Sequence, residues 1–452
     1  MANDMDSNAI PTATAETYFY DLADRVIGRL HANEVLLINY VAEQSDFVRL
    51  NHNQIRQAGN VAQHELQLVL IAEQRQSSAW FNMCGDLPSD LAQADALLSQ
   101  LRTQLAHLPP DPYLHVATDV QHSAHHGENH LPSPQDTLQQ IMTSANDLDL
   151  VGIWASGVML HGFANSYGQR NWHSKHNFNF DWSLYYKNDK AVKQAYAGDI
   201  WNDTAFQHKL EHGRQNLGLL AKPAKTIAPG RYRVFLTPVA LQELLALLGW
   251  GGFGLKSHRT QQTPLLKMVK DGMQLSPKVT LTEQHAAGLA PGFTPEGFSK
   301  PASVVLIENG QYRDCLANAR SAKEYGTEVN CGSESPQSLQ LNGGGLKQND
   351  ILPALDTGVY ISNLWYGNYS DRNHCRMTGM TRFACLWVEN GEPRAPLNVM
   401  RFDESLYHAL GDKLIDLTEA QETLLDPQSY QRRSQRSARL PGALIEAFTF
   451  TL

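Results

Sequence analysis

The residues able to hold a metal or move a proton are scattered along this chain, and their spacing decides what each set could do. His208 and His212 stand four apart with Glu211 between them, in a stretch of helical periodicity over residues 203–220. Two imidazoles one turn apart can grip zinc. The Lys, Glu and Arg around them equally describe a solvated helix face, and no third ligand is indicated. His208 and His212 are therefore only weak metal candidates. His64-Glu65 begins like a zinc-protease motif, but Leu68 and Val69 fill the places a second histidine would need, and the alternation there predicts a strand. His122, His125, His126 and His130 crowd a polar stretch, residues 120–134, expected as a surface loop or inter-lobe connection with no rigid mount for a catalytic metal. His173 and His176, three apart in a strand-like run, would face opposite ways and are expected at the surface or in a turn. Gly343-Gly344-Gly345 lacks a following Lys-Ser/Thr, which favours a loop over a phosphate cradle.

The densest polar stretch runs from Ser370 to Arg382. Main-chain pairing and an Arg–carboxylate contact could hold an extended peptide there, so Asp371, Arg372, Arg376, Thr378, Thr381 and Arg382 are the peptide-groove candidates. A turn whose Asp and Arg satisfy each other is the simpler expectation. Cys375 follows His374, but nothing orients that imidazole as a base, and no catalytic residue emerges.

The elements that would position these groups read as α+β: mainly antiparallel sheets with flanking helices, in two lobes. Helical periodicity covers residues 17–30. Strands are expected at 34–42 and 61–71, with a turn at 43–45 and short returns between. A helix over 89–107 has Ser89 as its N-cap candidate. Strands at 148–154, 158–165 and 172–186 follow. The clearest local signal is R-Y-R-V-F-L-T-P-V-A-L-Q-E-L-L-A-L-L-G-W at 231–250. Its β-rich start gives way to Thr237 as N-cap, Pro238 at the first helical position, and Leu241, Leu244, Leu245 and Leu248 on one face. Later strands are expected at 279–281, 302–308, 350–360, 382–388 and 443–452, with a long loop over 330–349. The organisation expected is an N-terminal tail and helix (1–30), an α+β subdomain (31–118), a central α+β segment (119–221) and a β-rich C-terminal domain (222–452).

The net charge of −9 leaves no basic footprint for nucleic acid. No apolar run reaches the ~20 residues that cross a bilayer, so no membrane association is expected. The acidic, polar start resembles neither a signal nor a transit peptide. Cys84, Cys315, Cys331, Cys375 and Cys385 are odd in number and widely spaced, as reduced thiols of a cytoplasmic protein would be.

The C-terminal half carries an ordered set of motifs after the strand–Thr-Pro–helix: D-T-G-V-Y-I-S-N-L-W-Y-G at 356–367, S-D-R-N-H-C-R-M-T-G-M-T-R at 370–382, V-E-N-G-E at 388–392 and P-L-N-V-M-R-F-D-E-S-L at 396–406. The N-terminal half adds Val48-Arg49-Leu50, Ile55-Arg56-Gln57 and Ala164-Asn165-Ser166-Tyr167-Gly168. In this order they resemble the TldD/PmbA family, from about residue 30 onward. The resemblance implies two branches. TldD-type members are zinc metallopeptidases whose helix, at the position of residues 239–251 here, carries H-E-x-x-x-H, with a cysteine near the C-terminus completing the site. PmbA-type (TldE) members share the fold, lack that helix motif and pair with a TldD-type subunit. Here Glu243 has no histidine beside it, His258 falls beyond the glycines, and no cysteine follows Cys385. The resemblance thus implies a PmbA/TldE-like subunit of a peptidase system that processes unfolded peptides. No cofactor is expected in this chain, zinc would sit in the TldD-like partner, and a homodimer or hetero-oligomer is compatible. The alternative is a self-sufficient zinc peptidase with a non-standard site drawing on His208 and His212.

Overall fold

The computed structural model, which describes residues 10–187 and 190–451, contains two sheets. Residues 1–9, part of the expected tail, lie outside the described residues. The first sheet starts with β1 (Val35–Asn51), β2 (Gln54–Ala72) and β3 (Arg75–Asn82). Further strands are β4 (Ser123–His126), β5 (Asp149–Asn165), β6 (Arg170–Tyr185) and β7 (Ala191–Gly198). Their order is β3-β2-β1-β5-β6-β4, with β7 also on β6. Residues 31–118 and 119–221 thereby share one sheet, since β1 lies between β2 and β5.

The turn expected at 43–45 is absent: β1 runs straight through it and pairs with β2 from Val35↔Ile71 to Asn51↔Gln54. The polar residues that suggested a turn, Glu43 and Ser45, are buried against Arg433 from the far end of the chain. The actual reversal is at His52-Asn53, both left-handed, as a two-residue hairpin turn requires. The two strands expected at 148–154 and 158–165 are likewise one, β5. At Gly157, φ is +149° and a Cβ would strike the Gln44 carbonyl, so only glycine lets β5 stay paired to β1 there.

Even-numbered residues of β1 and β5 face helices. Ile38, Tyr40, Leu160 and Ala164 pack under α1 (Thr12–Ile27) and α2 (Leu87–Leu105). Val48, Leu50, Leu150 and Trp154 pack under α3 (Pro134–Ser144) and α4 (Asp203–Leu220). α1 starts earlier than expected, and α2 is capped by Asp86, which accepts the Ser89 N–H, rather than by Ser89 itself. Asp86 precedes the Leu87-Pro88 start, where a carboxylate meets unpaired N–H groups.

The odd-numbered face of the first sheet meets the C-terminal lobe. That lobe comprises β8 (Gly230–Leu236), α5 (Pro238–Leu247), β9 (Leu281–Glu283), β10 (Val304–Glu308), β11 (Gln311–Tyr312) and β12 (Ser338–Leu341). It continues with β13 (Gly358–Ile361), β14 (Asn363–Asp371), β15 (Arg376–Arg382), β16 (Leu386–Glu389) and β17 (Glu392–Pro396). β18 (Arg401–Ser405), β19 (Leu414–Leu425) and β20 (Ser437–Phe450) complete it. The order is β11-β10-β9-β12-β20-β8-β13-β16-β17, with β14, β15, β18 and β19 joined through β20. Pairing is mostly antiparallel; β12–β20 and β8–β13 are parallel. The strand expected over 350–360 is instead a helical turn, Ile351–Leu355, which tolerates Pro353 in its first turn and ends at Asp356 with φ +52° before β13 begins. The loop expected over 330–349 contains β12. Its glycines lie flat on β19, where Gly344 N–H donates to the Thr418 carbonyl at 3.0 Å.

Candidate functional site

α5 is the element on which a metal site would be built. Thr237 caps it, its Oγ1 accepting the Ala240 N–H at 3.2 Å while donating to the Ser362 carbonyl at 2.7 Å. Ala240, Leu241, Leu244, Leu245 and Leu247 are buried, and the outer positions are Gln242, Glu243 and Ala246. One carboxylate and no imidazole is a donor set that does not fit zinc, which takes nitrogen, thiolate and carboxylate ligands in groups of three or four. His258 is spent elsewhere: its Nε2 lies 2.7 Å from the Gly252 carbonyl and its Nδ1 3.1 Å from Tyr312 Oη. Cys385 is buried beneath β15, where burial pushes its thiol up. Its Sγ points at the Arg382 carbonyl, 3.3 Å away.

The other histidines are not gathered into a ligand set. His208 and His212 sit exposed on α4, and the His212 ring lies beside Tyr360 with its nitrogens 3.3 and 3.5 Å from Asn216 Nδ2. His64 is buried on β2, 2.6 Å from Tyr40 Oη. The stretch expected as a loop around His125 and His126 is β4, parallel to β6, and His125 stacks on His173 with centroids 5.0 Å apart. His122 Nδ1 accepts the Arg170 N–H, and His130 lies 3.2 Å from Glu128. His173 is a buried strand residue, not a surface or turn residue, because the Leu289 segment of the second lobe covers β6 and its carbonyl lies 3.0 Å from His173 Nε2. Among the described residues no three His, Cys, Asp or Glu side chains are grouped so as to hold a metal ion.

The peptide-groove candidates fall on one hairpin. Asp371 accepts the His374 N–H at 3.2 Å and pairs with its ring at 2.8 Å, shaping the turn between β14 and β15. Arg372 reaches back to the loop after α5, donating Nε–H to the Gln262 carbonyl at 3.0 Å and Nη2–H to the Trp250 carbonyl. Arg376 pairs with Asp403 at 2.5 Å. Thr378 donates to the Phe402 carbonyl, and buried Thr381 accepts the Met400 N–H. Arg382 is exposed and lies over the Trp365 ring at 4.5 Å. Asp and Arg here are satisfied, though by Asp403, His374 and carbonyls rather than by one another. Among the described residues β14 pairs only with β15; α5 packs against it through Leu247 and Tyr369, and Trp365 and Tyr366 are exposed. Cys375, in the same turn, is buried, and burial pushes its thiol up to about 12, which removes it as a nucleophile.

A cleft between the lobes was not legible from spacing. It encloses about 790 Å³ between the odd-numbered face of β1 and β5 and three segments of the second lobe. Four cations line it: Lys300, Arg432, Arg433 and Arg436. Arg433 is held by Glu43, with Nε 3.2 Å from Oε1, and Arg432 by Glu65 at 3.0 Å. Lys300 donates to Gln337 Oε1 at 3.3 Å, and burial lowers its ammonium to about 8 although Glu283 behind it pulls the other way. Glu283 Oε1 accepts the Gln337 and Ser338 N–H groups, both at 2.9 Å. His285 Nδ1 lies 3.5 Å from it, and burial lowers that imidazole to about 4. The one sequence signal was the run Arg432-Arg433-Ser434-Gln435-Arg436, conspicuous in an acidic chain.

Comparison with known proteins follows the same lines. Residues 229–452, about half of the chain, match the family model described as the PmbA/TldA metallopeptidase C-terminal domain. No curated protein sequence matches. The fold is similar to that of TldE from Thermococcus kodakarensis (TM-score 0.78, 15% identity, covering 96% of this chain and 100% of that one). It is also similar to a proposed modulator of DNA gyrase from Thermotoga maritima (TM-score 0.74, 15% identity, 96% and 100%). A third similar structure is a proposed DNA gyrase modulator from Bacteroides thetaiotaomicron (TM-score 0.73, 14% identity, 98% and 100%). With the ordered motifs lying on β13 to β18 inside the matched residues, the chain belongs to the TldD/PmbA family.

Proposed function

We propose that this chain is a PmbA/TldE-like subunit of a TldD/PmbA-type metallopeptidase system, pairing with a TldD-like chain that carries the zinc and handling unfolded peptides for cleavage. The observation that supports this reading is α5: where the family resemblance calls for zinc ligands, its outer face offers Gln242, Glu243 and Ala246. A metal centre on one chain of a two-chain chamber suffices for hydrolysis, while the other supplies walls and strand edges. The edge of β14 away from β15, on the strand where exposed Trp365 carries Arg382 over its ring, is where an extended peptide would add as a strand. In that role Asp371, Arg372, Arg376, Thr378 and Thr381 hold the hairpin in shape. Among the described residues no helix is long and apolar enough to cross a membrane, and the five free cysteines suit the reducing cytoplasm.

The test is metal analysis of the purified chain after mild chelation, with hydrolysis of an unfolded peptide by the chain alone and mixed with a TldD-like protein. Metal well below one equivalent, no hydrolysis alone and copurification with the partner are expected. Stoichiometric zinc with hydrolysis by the lone chain would refute the proposal.

A further inference from the structure

The cleft between the two lobes is more positive than the chain around it. The protein has a formal net charge of −9, yet Lys300, Arg432, Arg433 and Arg436 line one cavity in which, among the described residues, Asp426 is the only carboxylate on the wall. Glu43 and Glu65 are committed to Arg433 and Arg432. Among the described residues no carboxylate lies within ion-pair distance of Lys300 or Arg436. His161, on β5, adds a buried Nε2 with no hydrogen-bond partner among the described residues. The two unpaired cations set up a positive field across the cleft that draws in an anion, and the His161 ring, kept neutral by burial, adds a hydrogen-bonding nitrogen rather than charge.

We propose that this cleft is a carboxylate receptor for the peptide: Lys300 and Arg436 hold an acidic side chain or the C-terminal carboxylate, and His161 lies beside it. The inference rests on the peptide-handling reading above and adds the charge class of what is handled. The cavity is wide enough for a chain segment rather than an ion alone. Trp80 and Tyr430, 48% and 88% exposed, offer rings at its rim for the residues either side of the carboxylate. Lys300 also lines a larger cavity of about 1450 Å³ with Asn330 and Cys315.

The experiment uses the full chain and four versions of one short, unstructured, fluorescently labelled peptide: glutamate-bearing or glutamine-bearing, each with a free or an amidated C-terminus. Binding is read by anisotropy at low salt. The acidic side chains, the free terminus or both should strengthen binding about tenfold, the weight of one charge-assisted hydrogen bond. The arm that responds identifies which carboxylate is held. Arg436→Gln changes an exposed side chain and should keep the melting temperature. It and Lys300→Met should each weaken the responsive peptide about three- to tenfold and leave the neutral one unchanged. Equal affinity for all four peptides, or no change in a variant that stays folded, overturns the receptor while leaving the peptide-handling reading standing. Absence of binding by any peptide, to this chain or to its mixture with a TldD-like protein, overturns both.

Discussion

Arg433→Leu is the sharpest probe of how the two lobes are joined. Arg433 lies at the end of the second lobe but is 6% exposed, inserted against the first sheet. Its Nε–H donates to Glu43 Oε1 at 3.2 Å and Ser45 Oγ at 2.9 Å, and its Nη1–H donates to Asn177 Oδ1 at 2.6 Å. Glu43 is 1% exposed, so removing the guanidinium leaves a carboxylate out of reach of water. Breaking one side of a buried ion pair typically costs about 3–5 kcal/mol. Glu43 keeps two weaker donors, Gln63 Nε2 at 3.3 Å and the backbone N–H of residue 433 at 3.0 Å, which places the expectation at the lower end, about 3 kcal/mol. The assay is urea unfolding followed by tryptophan fluorescence, comparing midpoints at a shared slope. The double variant Glu43→Leu/Arg433→Leu replaces the pair with apolar groups and should be less destabilised than the single one. A loss below about 1 kcal/mol in Arg433→Leu, or a double variant as unstable as the two single losses added, would refute the reasoning.

Three further outcomes are expected. Burial lowers His173 and His285 to about 4, below the ~6.5 of an unfolded chain, so both contribute stability above that value and lose it as pH falls toward 4. Urea midpoints should fall between pH 7 and 5, and His173→Gln or His285→Gln should flatten the decline; Glu283, whose carboxyl burial pushes up, acts in the opposite sense. Gly157→Ala should destabilise by about 2 kcal/mol or more through its collision with the Gln44 carbonyl, measured by thermal unfolding; an unchanged melting temperature would mean β1 and β5 can part there. Thr237→Ala removes the α5 cap and a bond to Ser362, and should cost about 1 kcal/mol with faster amide exchange confined to the first turn of α5.

What could be read in advance was whatever is encoded locally. Thr237-Pro238 and the leucine spacing placed α5, and periodicity placed α4, because cap and face lie within one stretch of chain. The strand through Glu43 and Ser45 was unreadable, since those polar residues are buried only by Arg433, brought in from the other lobe. β3 opens on Arg75-Gln76-Ser77-Ser78 and puts Phe81 in the core with Trp80 exposed, so no continuous apolar stripe announced it. His173 was misplaced for the same reason as Glu43: the segment that covers it, around Leu289, is distant in sequence. The ordered motifs of the C-terminal half were legible as a set, yet the inter-lobe cleft draws residues from position 39 to position 436 and has no motif at all.

The placement of β20 dictates an order of events during synthesis. It pairs with β12 and β8, lies along β19 and touches β18. Until residues 437–450 emerge from the ribosome, β8–β13–β16–β17 and β9–β12 are separate ribbons with bare edges, while the first sheet needs nothing beyond residue 198 to pair its strands. The nascent chain therefore carries a front half whose strands are already paired and a rear half with bare edges, and a message cut short ahead of codon 437 would yield a product prone to stick to itself.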